Sequence, residues 1–446
     1  MRVITLASGA GAIAGVGYGF LLLMAAQFVS GLADNALLLV TIARLSADGA
    51  AAWLLPLLKL VFTLAYVLLA PLVGPLADRW PKARVMLAAN TVKALACAAL
   101  AGGAPALLAF CVAGAGAAVY SPAKYGLVTE LVPTRKLVAA NGWIEVGTVL
   151  AILLGTVLGG ALTGSPLQAL LARVWASISP TGAAGSGEVA LSLGFGVVLL
   201  LYALAALLNL GIPDSGARYP APLPLHQQLA DFAQANRRLW ADPLGQISLA
   251  TTTLFWGVGA TLQFVVLRWA GEQLGLTLAQ AAYLQGLSAI GVVLGAALAG
   301  RWVRIGHAPR VLGLGVLMGL LVPLLVHVDE PATAALLLTG IGLLGGLFVV
   351  PMNALLQHRG SRLLSAGRSI AVQNFNENAC VLLMLALYAG CIALDVPLPT
   401  LILGDGLLVA LLMALIWLRH RQLRRRRYAL TDHLSPVSIQ LHEDPA

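Results

Sequence analysis

Charge is scarce in this chain of 446 residues. Asp, Glu, Lys and Arg together make up 10% of it, against about 25% in a typical soluble domain, which excludes an ordinary water-soluble globular protein. Cysteine is scarcer still: Cys97, Cys111, Cys380 and Cys391 all fall within apolar runs without metal-ligand spacing. Packing residues are expected there, not a disulfide framework or a thiolate metal site. A nucleotide-binding loop, a run of metal ligands and a nucleophile elbow are also missing, so nothing points to an enzyme. Acidic residues number 18 against 27 basic ones, for a net charge of +9. The basic excess lies in short clusters between apolar runs, a placement that speaks for membrane topology and against nucleic acid as a partner.

What the chain has in abundance is hydrocarbon, with 59% hydrophobic residues and 48 glycines. Crossing a bilayer takes roughly 20 apolar residues, and runs of that length fall at 18–43, 52–77, 84–103, 105–130, 137–162 and 188–211. A second set follows at 244–270, 278–300, 310–328, 332–357, 367–392 and 397–419. The apolar character near the N-terminus continues through Leu39 without a cleavage site, so a cleaved leader is not expected. The fold class is all-α integral membrane, twelve transmembrane helices in two pseudo-symmetric six-helix bundles. The expected boundaries are 1–212 for the first bundle, 213–241 for a polar linker, 242–422 for the second bundle and 423–446 for a basic, polar tail.

Placing both termini on one side puts 21 Lys and Arg on that side and 3 on the other, with Lys59, Lys93 and Lys124 inside runs. By the positive-inside rule that side is cytoplasmic. Arg424–Arg427, directly after the last run, reads as an anchor for anionic headgroups. The halves also repeat. LADRW at 76–80 returns as LAGRW at 298–302, SPAK at 121–124 as VPMN at 350–353, and FVSGLAD at 28–34 as FWGVGAT at 255–261. Offsets of 222 to 229 residues indicate a duplicated six-helix unit.

Polar residues inside the runs are the candidates for function, because a charge in hydrocarbon needs a partner or a water-filled cavity. Gln27, Ser30, Gly31 and Asp34 share one face of the first run, with Asn35 at its margin. Asn141, Glu145 and Thr148 line a face of the fifth, and Gln373, Asn374, Glu377 and Asn378 crowd the eleventh. Lys93 and Lys124 bring positive charge to similar depth, Lys124 being a candidate partner for Glu145, whereas Lys59 and Arg268 sit near run ends where snorkelling accounts for them. Asp34 has no base within a turn of its own helix. Its partner is another helix, an ion or a substrate head group.

The loop GPLADRWPKAR at 74–84 carries Gly74, Asp78, Arg79 and Arg84 in a G-x-x-x-D-R-x-x-x-x-R pattern. That pattern resembles the loop after the second helix of major facilitator transporters. The resemblance implies two bundles rocking about a central site, with Asp78 holding a neighbouring helix N-terminus by charge–dipole attraction in one state.

A narrower resemblance rests on AQFVSGLADNALLL, GAGAAVYSPAKYGLVTEL, LVAANGWIEVGTVLAILLG, FVVPMNALLQHRG and AVQNFNENACVLLML. These blocks are similar to the bacterial lysophospholipid transporter family over nearly the whole membrane part. The resemblance implies an inner-membrane flippase that brings lysophosphatidylethanolamine from the outer to the inner leaflet, where an acyltransferase/acyl-carrier-protein synthetase restores the second chain. It implies no cofactor, a coupling ion that is Na⁺ in preference to H⁺, with Asp34 as a possible Na⁺ ligand, and site residues Asp34, Asn35, Asn90, Lys93, Lys124, Glu145, Gln373, Asn374, Glu377 and Asn378. In one departure from the family pattern, TLQF places Gln263 where an Arg is expected, and Arg268 follows five residues later. Asp34 is therefore expected to be freer for an ion or an ammonium. An exporter of drugs or other amphiphilic metabolites would share the loop motif and is the alternative; a non-transporting scaffold would need no polar stripes.

Overall fold

The computed structural model describes residues 17–50, 54–163, 173, 186–217, 219 and 224–432. Arg2, Arg218 and the tail histidines His433 and His442 lie outside the described residues. The described chain is helical throughout, and eleven helices are long and apolar enough to cross a membrane, with a twelfth crossing made of two helices bent against each other.

The first half comprises α1 (Tyr18–Ala47), α2 (Leu54–Leu68), α3 (Ala70–Arg79), α4 (Lys82–Ala101), α5 (Ala106–Leu131), α6 (Leu137–Thr163) and α7 (Ser186–Leu210). After α8 (Leu225–Ala241) come α9 (Pro243–Glu272), α10 (Leu278–Trp302), α11 (Leu312–Leu321), α12 (Pro331–Leu363), α13 (Ala366–Ala393) and α14 (Leu398–Asp432). Two crossings expected as single helices are broken. The second bends by 64° between α2 and α3, where Pro71 at the start of α3 offers no N–H to the preceding turn. The ninth is α11 flanked by 3-10 turns at Ile305–Val311 and Val322–His327, each containing a proline. A further difference lies in the linker, which holds the amphipathic helix α8. Its apolar positions are spread among Gln, Asn and Arg, so no run of crossing length betrays it.

Within lipid the hydrophobic effect does not pull helices together, and close backbone approach does. α10 and α12 pack most extensively of all, and both carry a small-residue repeat: Gly291 and Gly295 meet backbone atoms of Thr339 and Leu343, while Gly342 and Gly346 meet Ser288 and Val292. α1 packs on α6 and α7, and α4 on α5 and α7, closing the first bundle; α9 with α13, and α11 with α14, close the second. The bundles touch each other through α6 with α10 and through α13 with α3 and α5. Among the described residues, the hydrogen bonds between the two bundles all lie toward the end that carries the Gly74–Arg84 loop. The molecule is shut at that end.

Candidate functional site

Asp34 has a partner. Its Oδ2 receives a hydrogen bond from Lys93 Nζ at 2.8 Å, and its Oδ1 receives one from the Tyr202 hydroxyl at 2.7 Å. Lys93 also donates to Ser30 Oγ at 3.0 Å, Ser30 donates to Asn90 Oδ1 at 2.8 Å, and the ammonium lies 5.1 Å from the Tyr120 ring centre. The expectation that Asp34 stands free for an ion or ammonium is corrected: α4 supplies a cation and α7 a phenol. Lys93 is buried, and an ammonium in that position needs a carboxylate beside it. A Na⁺ at Asp34 would have to displace Lys93. Among the described residues no three His, Cys, Asp or Glu side chains cluster as metal ligands.

The second group lies across the interface of the halves. Lys124 on α5, Glu145 on α6 and Glu377 on α13 sit 7, 8 and 11 residues in from the shut ends of their helices, about 10 to 16 Å at 1.5 Å per residue. Lys124 and Glu145 carry opposite charge, and Glu145 and Glu377 like charge. The expected Lys124–Glu145 ion pair is not formed: Lys124 Nζ instead donates to Gln27 Oε1 at 3.4 Å and lies 4.1 Å from the Tyr125 ring centre. Gln373 Nε2 donates to Glu377 Oε1 at 2.8 Å and to Asn353 Oδ1 at 3.0 Å, and Asn374 reaches across the halves to Ser121 Oγ at 2.8 Å. One cation and two carboxylates on the inner helices thus form no ion pair with one another among the described residues. Such a group has spare valence for a ligand of mixed charge.

Other expected residues stay apart. Asn35 and Asn378 turn back onto the carbonyls of Gly31 and Asn374 in their own helices, each at 2.8 Å. Gln263 is exposed on α9 and makes no side-chain hydrogen bond to another described residue. Arg268 pairs with Glu272 at 2.6 Å on the surface and does not take the place of the missing arginine.

At the shut end Asp78 caps α13: Ser365 Oγ and the N–H groups of Gly367, at 2.8 Å, and Arg368, at 3.1 Å, donate to its carboxylate. The orphan amides of a helix N-terminus are satisfied by an acid from the other half. Gly74 makes the approach possible, because a Cβ there would come within 2.9 Å of Arg368 Cα. Arg79 and Arg84 are exposed, and the buried base of the loop is Lys82, bound to Glu130 at 2.6 Å and 3.8 Å from Asp78. Lys82, Tyr202, Tyr120, Asn353 and Ser121 were not singled out in the sequence as site residues. Their polarity is ordinary, and only tertiary contact marks them. Asp405, a carboxylate inside the last crossing, carries the same readable signal as Asp34 and Glu145.

The chain matches the Major Facilitator Superfamily over residues 23–380. It is 40% identical to the lysophospholipid transporter LplT of Shigella flexneri over 91% of its length and 96% of that protein. The LplT of Photorhabdus laumondii is 38% identical over 90% of this chain and 96% of its own. The chain belongs to the LplT family of the major facilitator superfamily. Solved superfamily structures share the fold: the transporter FucP in its outward conformation gives a TM-score of 0.67 at 16% identity, covering 91% of this chain and 98% of FucP. The human organic anion transporter MFSD10 gives 0.65 at 16%, covering 88% and 99%. As in other members of the superfamily, this is a multi-pass membrane transporter and not an enzyme.

Proposed function

We propose that the chain is a flippase for lysophospholipids, chiefly lysophosphatidylethanolamine, moving them from the outer to the inner leaflet of the inner membrane, with both termini cytoplasmic. Three neighbouring charges left without ion-pair partners, Lys124, Glu145 and Glu377, carry the reading. A zwitterionic head meets them in complementary fashion: phosphate against the Lys124 ammonium, and the ethanolamine ammonium between Glu145 and Glu377. The LplT relatives at about 40% identity, named as lysophospholipid transporters, support the same substrate. Transport is coupled to an ion gradient, and an acyltransferase/acyl-carrier-protein synthetase consumes the product in the inner leaflet. The apolar helix faces serve the acyl chain.

The test is lysophosphatidylethanolamine flipping in proteoliposomes under imposed Na⁺ or pH gradients, for the parent protein and for Lys124→Ala, Glu377→Gln and Asp34→Asn. Loss of flipping in the first two, with retained fold, is expected. Transport of soluble dyes but not of lysolipid would favour the exporter reading instead.

A further inference from the structure

A linker between two bundles needs only length, and this one carries structure. Leu225, Leu229, Phe232, Ala235 and Leu239 recur along α8 at i, i+4, i+7, i+10 and i+14, a spacing that lines up one apolar stripe. The stripe is seated on the second half, where Ala235 and Leu239 pack with Leu249 of α9, Leu356 of α12 and Val372 of α13. Polar contacts fix it to the same side. Asp231 pairs with Arg368 at 3.1 Å, and Asn376 joins α8 twice, donating to Asn236 at 2.9 Å and accepting from Trp240 at 3.1 Å.

The start of the linker is seated on the first half instead. Glu130 at the end of α5 accepts from Ser215 Oγ at 2.5 Å and from the Tyr219 hydroxyl at 3.4 Å, and the Lys82 ammonium that binds Glu130 lies 5.1 Å from the Tyr219 ring centre. Two linker residues then reach across the halves. The Tyr219 hydroxyl also lies against the Ala366 N–H at the start of α13. The Phe232 ring, edge-on to Phe375 of α13, packs on the cluster that joins Val73 of α3 and Ala118 of α5 to Ala371 of α13.

We propose that the linker is a latch on the gate: Ser215 and Tyr219 move with the first half, α8 moves with the second, and Tyr219 and Phe232 bind the two together in the shut state alone. The seats at Glu130 and on α9, α12 and α13 each lie within one half, so rocking leaves them intact. The crossing contacts must part. Water can replace the hydrogen bonds lost when a gate opens, but it cannot replace the apolar contact between Phe232 and the Val73 side, so that contact favours closure by its full worth. The latch sets the resting balance between shut and open molecules whichever lipid is carried, and its test needs no substrate.

The test uses the full chain in a background without the native cysteines, with pairs of spin labels at the exposed positions 135 on the first half, 233 on α8 and 304 on the second half. Phe232→Ala should raise the ratio of open to shut molecules by about tenfold, which corresponds to half the burial energy of a phenylalanine at 1.4 kcal/mol per tenfold. The 135–304 and 135–233 distances should then both lengthen while the 233–304 distance stays as in the parent. Tyr219→Phe keeps the ring beside Lys82 and deletes only the hydroxyl; it should move the same two distances in the same direction by a smaller factor. Leu229→Ala, at an exposed position of the same stripe, should move none of them. Thermal unfolding shows whether each variant is folded, and if Phe232→Ala is not, Tyr219→Phe decides in its place. Unchanged 135–304 distances in the folded variant overturn the proposal. So does a 233–304 distance that lengthens as much as the others, because α8 would then be detaching from the second half.

Discussion

At the scale of single residues, the pairing of Asp34 with Lys93 decides what each can do. Both side chains are committed within the first bundle, and Lys93 is nearly inaccessible. Removing one member of a buried pair leaves an uncompensated charge, whereas replacing both by neutral groups of similar shape is much milder. Lys93→Met should therefore destabilise the protein by about 3 kcal/mol, and Lys93→Met combined with Asp34→Asn should recover most of that. Thermal unfolding in detergent checks it; a double variant no better than the single would mean that the pair does not hold the bundle. The pair was half legible in the sequence. Each residue stood out as a charge within a hydrocarbon run, but neither could be matched to its partner across 59 residues. Tyr202 could not be found at all, because a phenol in an apolar helix is unremarkable until an acid is placed against it.

At the scale of elements, α8 is the piece that periodicity and charge counting pass over. It lies beneath the shut end, where Phe232 meets the Phe375 ring edge-on at 5.3 Å, Asp231 pairs with Arg368 at 3.1 Å, and Trp240 donates to Asn376 at 3.1 Å. Ala235 and Leu239 pack with Leu249, Leu356 and Val372. Where α8 ends, Asp242 caps α9 through the Gly245 N–H at 2.7 Å and binds the Arg359 guanidinium of α12. Burial raises the cost of the Asp242 charge, but the Arg359 guanidinium and the Gly245 N–H outweigh it and hold the carboxyl below its ordinary range. The sign follows: a carboxyl depressed in the folded state contributes its full stability at neutral pH and loses it as pH falls through the folded value. Hydrogen-exchange protection across the α8–α9 junction should accordingly drop on acidification in the parent protein and respond less in Asp242→Asn, which starts lower. Parallel pH profiles for the two proteins would assign the acid sensitivity to other groups. The broken second crossing was legible in principle, since Pro71 is visible in the sequence. Its 64° bend was not, because proline marks a missing hydrogen bond and leaves the angle to the packing around it.

At the scale of the whole molecule, the duplicated unit and the twelve apolar runs made the architecture readable, since only helices satisfy their own backbone in lipid. Which end is shut could not be read, because it depends on contacts between halves that the sequence separates by over two hundred residues. The most symmetric of these contacts is a reciprocal amide pair: Asn141 Nδ2 donates to Gln357 Oε1 at 2.9 Å, and Gln357 Nε2 donates to Asn141 Oδ1 at 2.8 Å. Both side chains are buried, and α6 and α10 approach closely beside them at Gly142 and Gly300. When the halves rock apart, water can replace each bond, so the pair favours the shut state only by its net worth. An unmatched substitution behaves differently. Asn141→Leu strands the Gln357 amide in the shut state alone, at about 1–3 kcal/mol. That shifts the ratio of shut to open molecules by roughly 5- to 140-fold toward open, at 1.4 kcal/mol per tenfold. Asn141→Leu with Gln357→Leu removes the stranded amide and should return the ratio most of the way. Spin labels at the exposed positions 135 and 304, one in each half and in a background without the native cysteines, would read the distance between the halves directly. A distribution unmoved by Asn141→Leu would shift responsibility for closure to the Asp78 cap on α13, and the same labels in Asp78→Asn would then have to show the opening.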